Sequence, residues 1–346
     1  MNALSRLSAS LLTLLAASTA FAAETDSVKP TKQVSYIPQI HGTLRPRAEY
    51  STDDNSYRFQ LRNARLSLGG FAGTEVVEYY TQVDICDRGV MKFLDGWIRL
   101  HASDRLQFQA GQFRMPFGQD MFRAPHTYIF ANRSFMGKTM FNRRAVGAMV
   151  NYTVPRTKLK LQAGIFNPGT IGNHAVWNKT IAFASKATLP IGNVTAVAGF
   201  SSVSPDSTRI NAADAALTYK IGGWTFEGEY LYMHYANRSI HNSHGYNFWT
   251  DYRMPVKAGI FNRLSFQGRF DGMTNFSDGY FNNDRQLTVT APRRNRLTVG
   301  CTLSYIRSAN LFLDIRADYE KYFYSEGYTP TPENSDKIVL EMVLRF

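Results

Sequence analysis

Apolar and polar side chains alternate with a period of two along most of the chain. In residues 310–322, Leu311, Leu313, Ile315, Ala317 and Tyr319 share one face of an extended strand, while Asp314, Arg316, Asp318 and Glu320 share the other. In residues 157–166, Leu159, Leu161, Ala163 and Ile165 oppose Lys158, Lys160 and Gln162. In 91–102, Leu94, Gly96, Ile98 and Leu100 oppose Asp95, Trp97 and Arg99. The final segment, SDKIVLEMVLRF, sets Ile338, Leu340, Met342, Leu344 and Phe346 on a single face. A strand so well patterned presents unpaired N–H and C=O groups at its edges and must find a partner.

The pattern predicts sixteen strands, near 36–50, 57–70, 74–86, 91–102, 105–114, 143–154, 157–167, 177–189, 194–203, 209–221, 224–236, 243–254, 260–270, 293–307, 310–323 and 335–346. Tyr57, Phe59 and Leu61 are out of phase with Leu66 and Leu68, which a β-bulge near Asn63 would reconcile. Short links such as PR at 155 and GG at 222 follow even-numbered strands, whereas the longest, 115–142 and 271–292, follow odd-numbered ones. An even strand count, one tight end and one elaborated end, and strands with one charged and one apolar face predict an all-β fold. The expected form is a closed antiparallel transmembrane β-barrel with a polar interior. A bilayer tolerates no open sheet edge, so 335–346 is expected to pair with the strand near 36–50. A secreted two-domain β-sandwich shares the strand pattern but not the alternation of connection lengths. Tyr79, Tyr152, Tyr230, Tyr232, Tyr305 and Tyr319 fall on apolar faces, where interfacial girdles require them.

Residues 1–22, with Arg6, an apolar run from Leu11 to Ala17 and small residues at Ala20 and Ala22, read as a signal peptide. A short periplasmic tail at 23–35 and a barrel over 36–346 follow. No later stretch resembles a membrane helix, and the mean hydropathy of −0.28 would by itself suggest a soluble protein. The net charge of +12 raises nucleic-acid binding, which export and the barrel pattern argue against. Cys86 and Cys301 form no disulfide framework or zinc spacing, and His241 and His244 read as polar loop residues. Neither a nucleophile motif, a metalloprotease motif nor a glycine-rich phosphate loop occurs, so no enzyme and no cofactor is expected.

Sixteen strands leave room for an aqueous channel. The longest link, 115–142, is the expected constriction. With its flanks it supplies Arg114, Arg123, His126, Arg133, Lys138, Arg143 and Arg144 against one acid, Asp120, a composition suited to an anion-selective eyelet. Its Phe, Tyr, Met and Ile residues imply that part of it packs. The predicted inner wall adds Arg58, Arg62, Arg99, Lys158 and Lys160. An arginine fork matches phosphate or carboxylate. Acids such as Asp95 and Asp314 are expected to pair with neighbouring arginines.

LRNARLSLGG at 61–70, FLDGWIRL at 93–100, and AGQFRMPFGQD at 110–120 followed by NRSF at 132–135 resemble conserved blocks of the phosphate-selective porin O and P family. The resemblance implies a trimeric outer-membrane porin of sixteen strands whose third loop folds into the channel, with arginines and lysines passing phosphate or other small anionic solutes. It places Arg65, Asp95, Arg114 and Arg133 at family positions. His126 stands where the loop commonly carries Arg or Lys, and an imidazole titrating near pH 6.5 would add positive charge on acidification. Phe346 resembles the signature by which the barrel-assembly machinery recognises its clients. Outer-membrane lipid and lipopolysaccharide are the expected surroundings. A non-transporting barrel, such as an adhesin, and a general porin without phosphate preference are the competing functions.

Overall fold

A computed structural model describes residues 34–346, apart from 142, 170–173, 206–207, 237–239, 285 and 326–327. The expected signal peptide, 1–22, and nearly all of the expected tail, 23–35, lie outside the described residues. Sixteen strands are described: β1 (Gln39–Ser51), β2 (Ser56–Phe71), β3 (Val77–Asp87), β4 (Val90–His101), β5 (Leu106–Arg114), β6 (Arg144–Thr153), β7 (Lys160–Phe166) and β8 (Ala182–Ile191) form the first half. The second half comprises β9 (Val194–Val203), β10 (Ile210–Ile221), β11 (Trp224–Tyr235), β12 (Ser243–Ala258), β13 (Phe261–Met273), β14 (Arg294–Ser308), β15 (Leu311–Tyr324) and β16 (Lys337–Arg345). Each strand pairs antiparallel with its sequence neighbours, and β1 pairs with β16, so the sheet closes into a barrel.

Closure answers the question posed by the last strand. Thr43 faces Arg345 and Ser51 faces Lys337, and Gly42 and Phe346 exchange backbone hydrogen bonds at 2.7 and 3.1 Å. A Cβ on Gly42 would stand 2.2 Å from the Phe346 ring, so only glycine lets that ring lie over β1.

The barrel is inside out relative to a soluble protein. Arg45, Glu229, Glu320 and Glu341 are among the largest fully buried side chains, while Phe266, Val299, Leu340 and Met342 are exposed on the outer face. That is the solution period-2 patterning demands when the solvent outside is hydrocarbon. The bulge in β2 falls at Arg62, which has no partner between Asn63, opposite Arg45, and Leu61, opposite Pro46. Two strands begin later than their pattern implies. β7 starts at Lys160 because Arg156 and Lys158 adopt left-handed conformations in the preceding turn. β8 starts at Ala182; in the approach to it His174 lies 2.9 Å from Gln112 Oε1, and Val176 and Trp177 are exposed.

Candidate functional site

The segment between β5 and β6 enters the barrel rather than standing above it. Short helical turns at Asp120–Phe122, Pro125–Thr127 and Met136–Met140 fold it compactly. Phe117, Met121, Met136, Met140 and Phe141 are buried against an inner face that turns apolar at this level, through Ala182, Ala184, Ala212, Leu231 and Met233. Small wall residues make the space. A Cβ on Gly245 would meet Met140 Sδ at 2.7 Å.

Polar anchors complete the attachment. Glu229 accepts the N–H groups of Gln119 and Asp120 at 2.6 and 2.9 Å. Asp318 accepts that of Ala131 at 2.6 Å, and Asp271 that of Phe135 at 2.8 Å. Wall cations donate to loop carbonyls: Lys186 to Gly118 at 2.6 Å, Arg45 to Ala131 and Arg269 to Asn132 at 2.7 Å, and Arg296 to Arg133 at 2.6 Å. A charged partner strengthens a hydrogen bond to roughly 1.5–3 kcal/mol, and with Lys186, Arg45, Arg269 and Arg296 among them these seven residues fix the backbone firmly. Asp120, the loop's lone acid, is its internal hub. It accepts from Ser134 at 2.6 Å and from Arg123 at 3.1 Å. Burial would raise its pKa, but Arg123 and Arg133 hold the carboxyl below its usual range.

The loop is thus bound to the arc of wall running from β8 through β15 to β1; a cavity of about 300 Å³ lies between its 126–129 segment and β12 to β15, and further free space remains along β1 to β6. Two cavities occupy it. One, of about 280 Å³, opens toward the long loops. The other, of about 250 Å³, lies on the short-turn side. Arg65, Arg114 and Arg144 line both and mark the throat between them. Arg65 pairs with Asp84 at 2.8 Å and Arg144 with Asp95 at 2.9 Å, whereas Arg114 donates to the carbonyls of Met121 and Arg123 and meets no carboxylate among the described residues. Thirteen lysines and arginines line the outer cavity against two acids, Asp87 and Glu333, so its field is cationic despite local pairing.

The remaining sequence-predicted residues are scattered. Arg58 and Arg62 line the outer cavity, bound to Glu49 and Asp87 respectively. Arg133, Arg143 and Lys138 line it as well, Lys138 lying 3.3 Å from Glu333. Arg99 sits in the inner cavity, 2.9 Å from Glu78. Three expectations need correction. Arg123 does not face the throat: it turns to the far wall, where Glu227 and Asp120 neutralise it and raise its pKa against the effect of burial. His126 does not titrate near 6.5, because burial, with the charges of Arg345, Arg65 and Arg316, pushes it down to about 4. Lys158 is exposed in the turn before β7 with φ of 58°, and Lys160 is exposed at that strand's end; neither borders the throat. Asp95 and Asp314 do pair with arginines, but Glu229, Asp271 and Asp318 hold the loop's backbone, a role no local sequence signal carries.

The family model described as phosphate-selective porin O and P matches residues 39–238. The chain belongs to that family. It is therefore a porin, an outer-membrane channel and not an enzyme. Among solved structures the porin is similar in fold to the anion-selective porin from Comamonas acidovorans, at 11% identity and TM-score 0.61 over 89% of this chain and 99% of that one. The outer membrane channel DcaP of Acinetobacter baumannii matches at 11% identity and TM-score 0.61 over 91% and 99%. A loop L8 deletion mutant of OmpT, an outer membrane protein of Vibrio cholerae, matches at 11% and 0.60 over 89% and 99%. No curated protein matches.

Proposed function

We propose that this porin favours small anions, phosphate among them, and that Arg65, Arg114 and Arg144 form its filter. The carrying observation is that these three guanidiniums border both cavities, so a solute crossing between them passes all three. Arg114 lacks an acidic partner among the described residues and keeps its charge available to a solute. Arg65 and Arg144 share theirs with Asp84 and Asp95, which weakens each site enough to let an anion leave. Guanidinium forks suit phosphate, and the cationic outer cavity concentrates anions at the entrance. The family's description and the anion-selective Comamonas relative support the same reading. A homotrimer fits it too, one OmpT relative being described as a trimer. Contacts of the apolar outer face with lipid and lipopolysaccharide, and recognition of β16 and Phe346 by the assembly machinery, belong to the same proposal.

Reversal potentials in a salt gradient test it. The parent channel should prefer anions, and replacing Arg65, Arg114 and Arg144 together by Ala should lower the anion-to-cation permeability ratio by at least about tenfold, since one charge is worth about 1 kcal/mol, or about fivefold, at 4 Å even in water, and Arg65 and Arg144 are partly neutralised by Asp84 and Asp95. An unchanged ratio would place the filter elsewhere.

A further inference from the structure

The inner face of β3 and β4 carries two aromatic rings where charged or small residues prevail. Tyr80 and Trp97 are directly opposed across the strand pair, and their rings stack with centroids 5.4 Å apart and planes inclined by 22°. The rung they share continues with Gly69 on β2 and Gly111 on β5. A Cβ on Gly69 would stand 2.9 Å from the Tyr80 ring, and one on Gly111 2.7 Å from Trp97 Cα. Gly111 also holds a φ of 131°, which other residues rarely adopt. Gly69 therefore clears room for the Tyr80 ring, and Gly111 for the close approach of the β4 backbone that carries Trp97. Gln82 donates to Tyr80 Oη at 2.9 Å. The Arg99 guanidinium lies 4.3 Å from the Trp97 ring centroid, fixed by Glu78 at 2.9 Å and Gln109 at 2.7 Å. A side chain so held has little rotamer freedom left to lose when a solute binds.

Both rings line the inner cavity, whose far side is closed by Phe122 of the inserted loop and whose upper rim is the Arg65, Arg114 and Arg144 throat. Inorganic phosphate has no use for a stacked, half-buried ring pair. An aromatic acid uses both parts: its carboxylate meets the guanidinium forks while its ring packs on Trp97 and Tyr80. A cavity of about 250 Å³ admits a single-ring molecule.

We propose that the inner cavity is a binding site for organic anions carrying a flat ring, aromatic carboxylates being the class named, with Trp97 and Tyr80 as its ring platform. The proposal deepens the anion-channel reading and rests on it. In planar bilayers in potassium chloride, the full-length porin is titrated with benzoate, with cyclohexanecarboxylate, which has the same charge and a saturated ring, and with inorganic phosphate. Benzoate should reduce the current at a concentration about tenfold lower than cyclohexanecarboxylate, the scale of a single ring-stacking contact. Trp97→Ala should bring the two acids together and leave the phosphate response within about twofold of the parent, while Trp97→Phe keeps most of the benzoate preference. Equal block by both acids in the parent overturns the ring site while leaving the anion reading standing. A loss of phosphate and benzoate response in equal measure in Trp97→Ala overturns it also, because Trp97 then merely supports the wall. Absence of any response to phosphate in the parent defeats the underlying anion reading instead. Should Trp97→Ala fail to insert, the parent comparison of the two acids and Tyr80→Ala, expected to weaken benzoate alone, decide the matter.

Discussion

The wall from β10 to β15 and the wall from β1 to β6 use the same residue types in opposite ways. On the first, Glu229, Asp271 and Asp318 are spent on backbone N–H groups of the inserted loop, and Arg269 and Arg296 on its carbonyls. On the second, Arg65 and Arg144 keep carboxylate partners yet face free space, and Arg114 faces it with none among the described residues. An arginine on a lumenal face therefore does not by itself make a solute contact. What decides is whether the loop covers it.

The largest disruption of this division should come from Asp271→Ala. Asp271 accepts from Phe135 at 2.8 Å and from Arg296 at 3.0 Å and lies 3.2 Å from Arg269, so its loss leaves two buried guanidiniums sharing Glu320 as their carboxylate partner among the described residues. Breaking a buried pair costs about 3–5 kcal/mol. Lower thermal stability and a larger, noisier single-channel conductance are expected, and an unaltered conductance would mean the loop is held without this anchor.

A sharper contrast is between Arg114, the last residue of β5, and Arg123 of the loop. Arg114→Ala should lower the anion-to-cation permeability ratio several-fold, as expected for about 1 kcal/mol at a narrow site, while Arg123→Ala should change it by less than about twofold and chiefly destabilise. Equal effects on selectivity would erase the distinction between the covered and open walls.

The next effect is on pH. A His126 held at about 4 is neutral from pH 8 to 5, so selectivity should be flat there and rise only toward pH 4. The unfolded chain takes up that proton near 6.5 and the folded one near 4, so folding stability is lost as pH falls through this window, and His126→Ala should reduce the loss. Current recordings and thermal melts across pH 8 to 4 check both. The smallest effect belongs to Lys158→Ala and Lys160→Ala, which should leave reversal potentials within error, since both side chains are exposed at the short-turn end.

The contrast also explains how much could be read from the sequence. The barrel, its closure and the bulge at Arg62 follow from local alternation, because every strand faces hydrocarbon on one side and water or polar side chains on the other. Even the basic loop announced itself by composition. Its orientation did not: Arg123 and Arg133 are equally charged, yet only the first meets Glu227, a partner 104 residues away. Arg144 and Arg65 matter through the loop's path, which is set by apolar packing of Phe117, Met136 and Met140 as much as by charge. The titration of His126 is not legible locally, because it follows from burial and from Arg345, Arg65 and Arg316, on three strands remote in sequence.

The seam between β1 and β16 has a temporal meaning as well. Arg345 and Thr43, hydrogen-bonded at 3.3 Å, are 302 residues apart, whereas every other strand pair joins sequence neighbours. Hairpins along the wall can form early, since each closes a short loop, but the contact that removes the last two edges carries the greatest loop-closure entropy in the molecule. Until it forms, β1 and β16 each offer a free edge to any other strand. The Phe346 ring seated on Gly42 is then a latch engaged at the end of assembly, and a side chain introduced at Gly42 should slow insertion far more than it perturbs the finished barrel's strand pairing elsewhere.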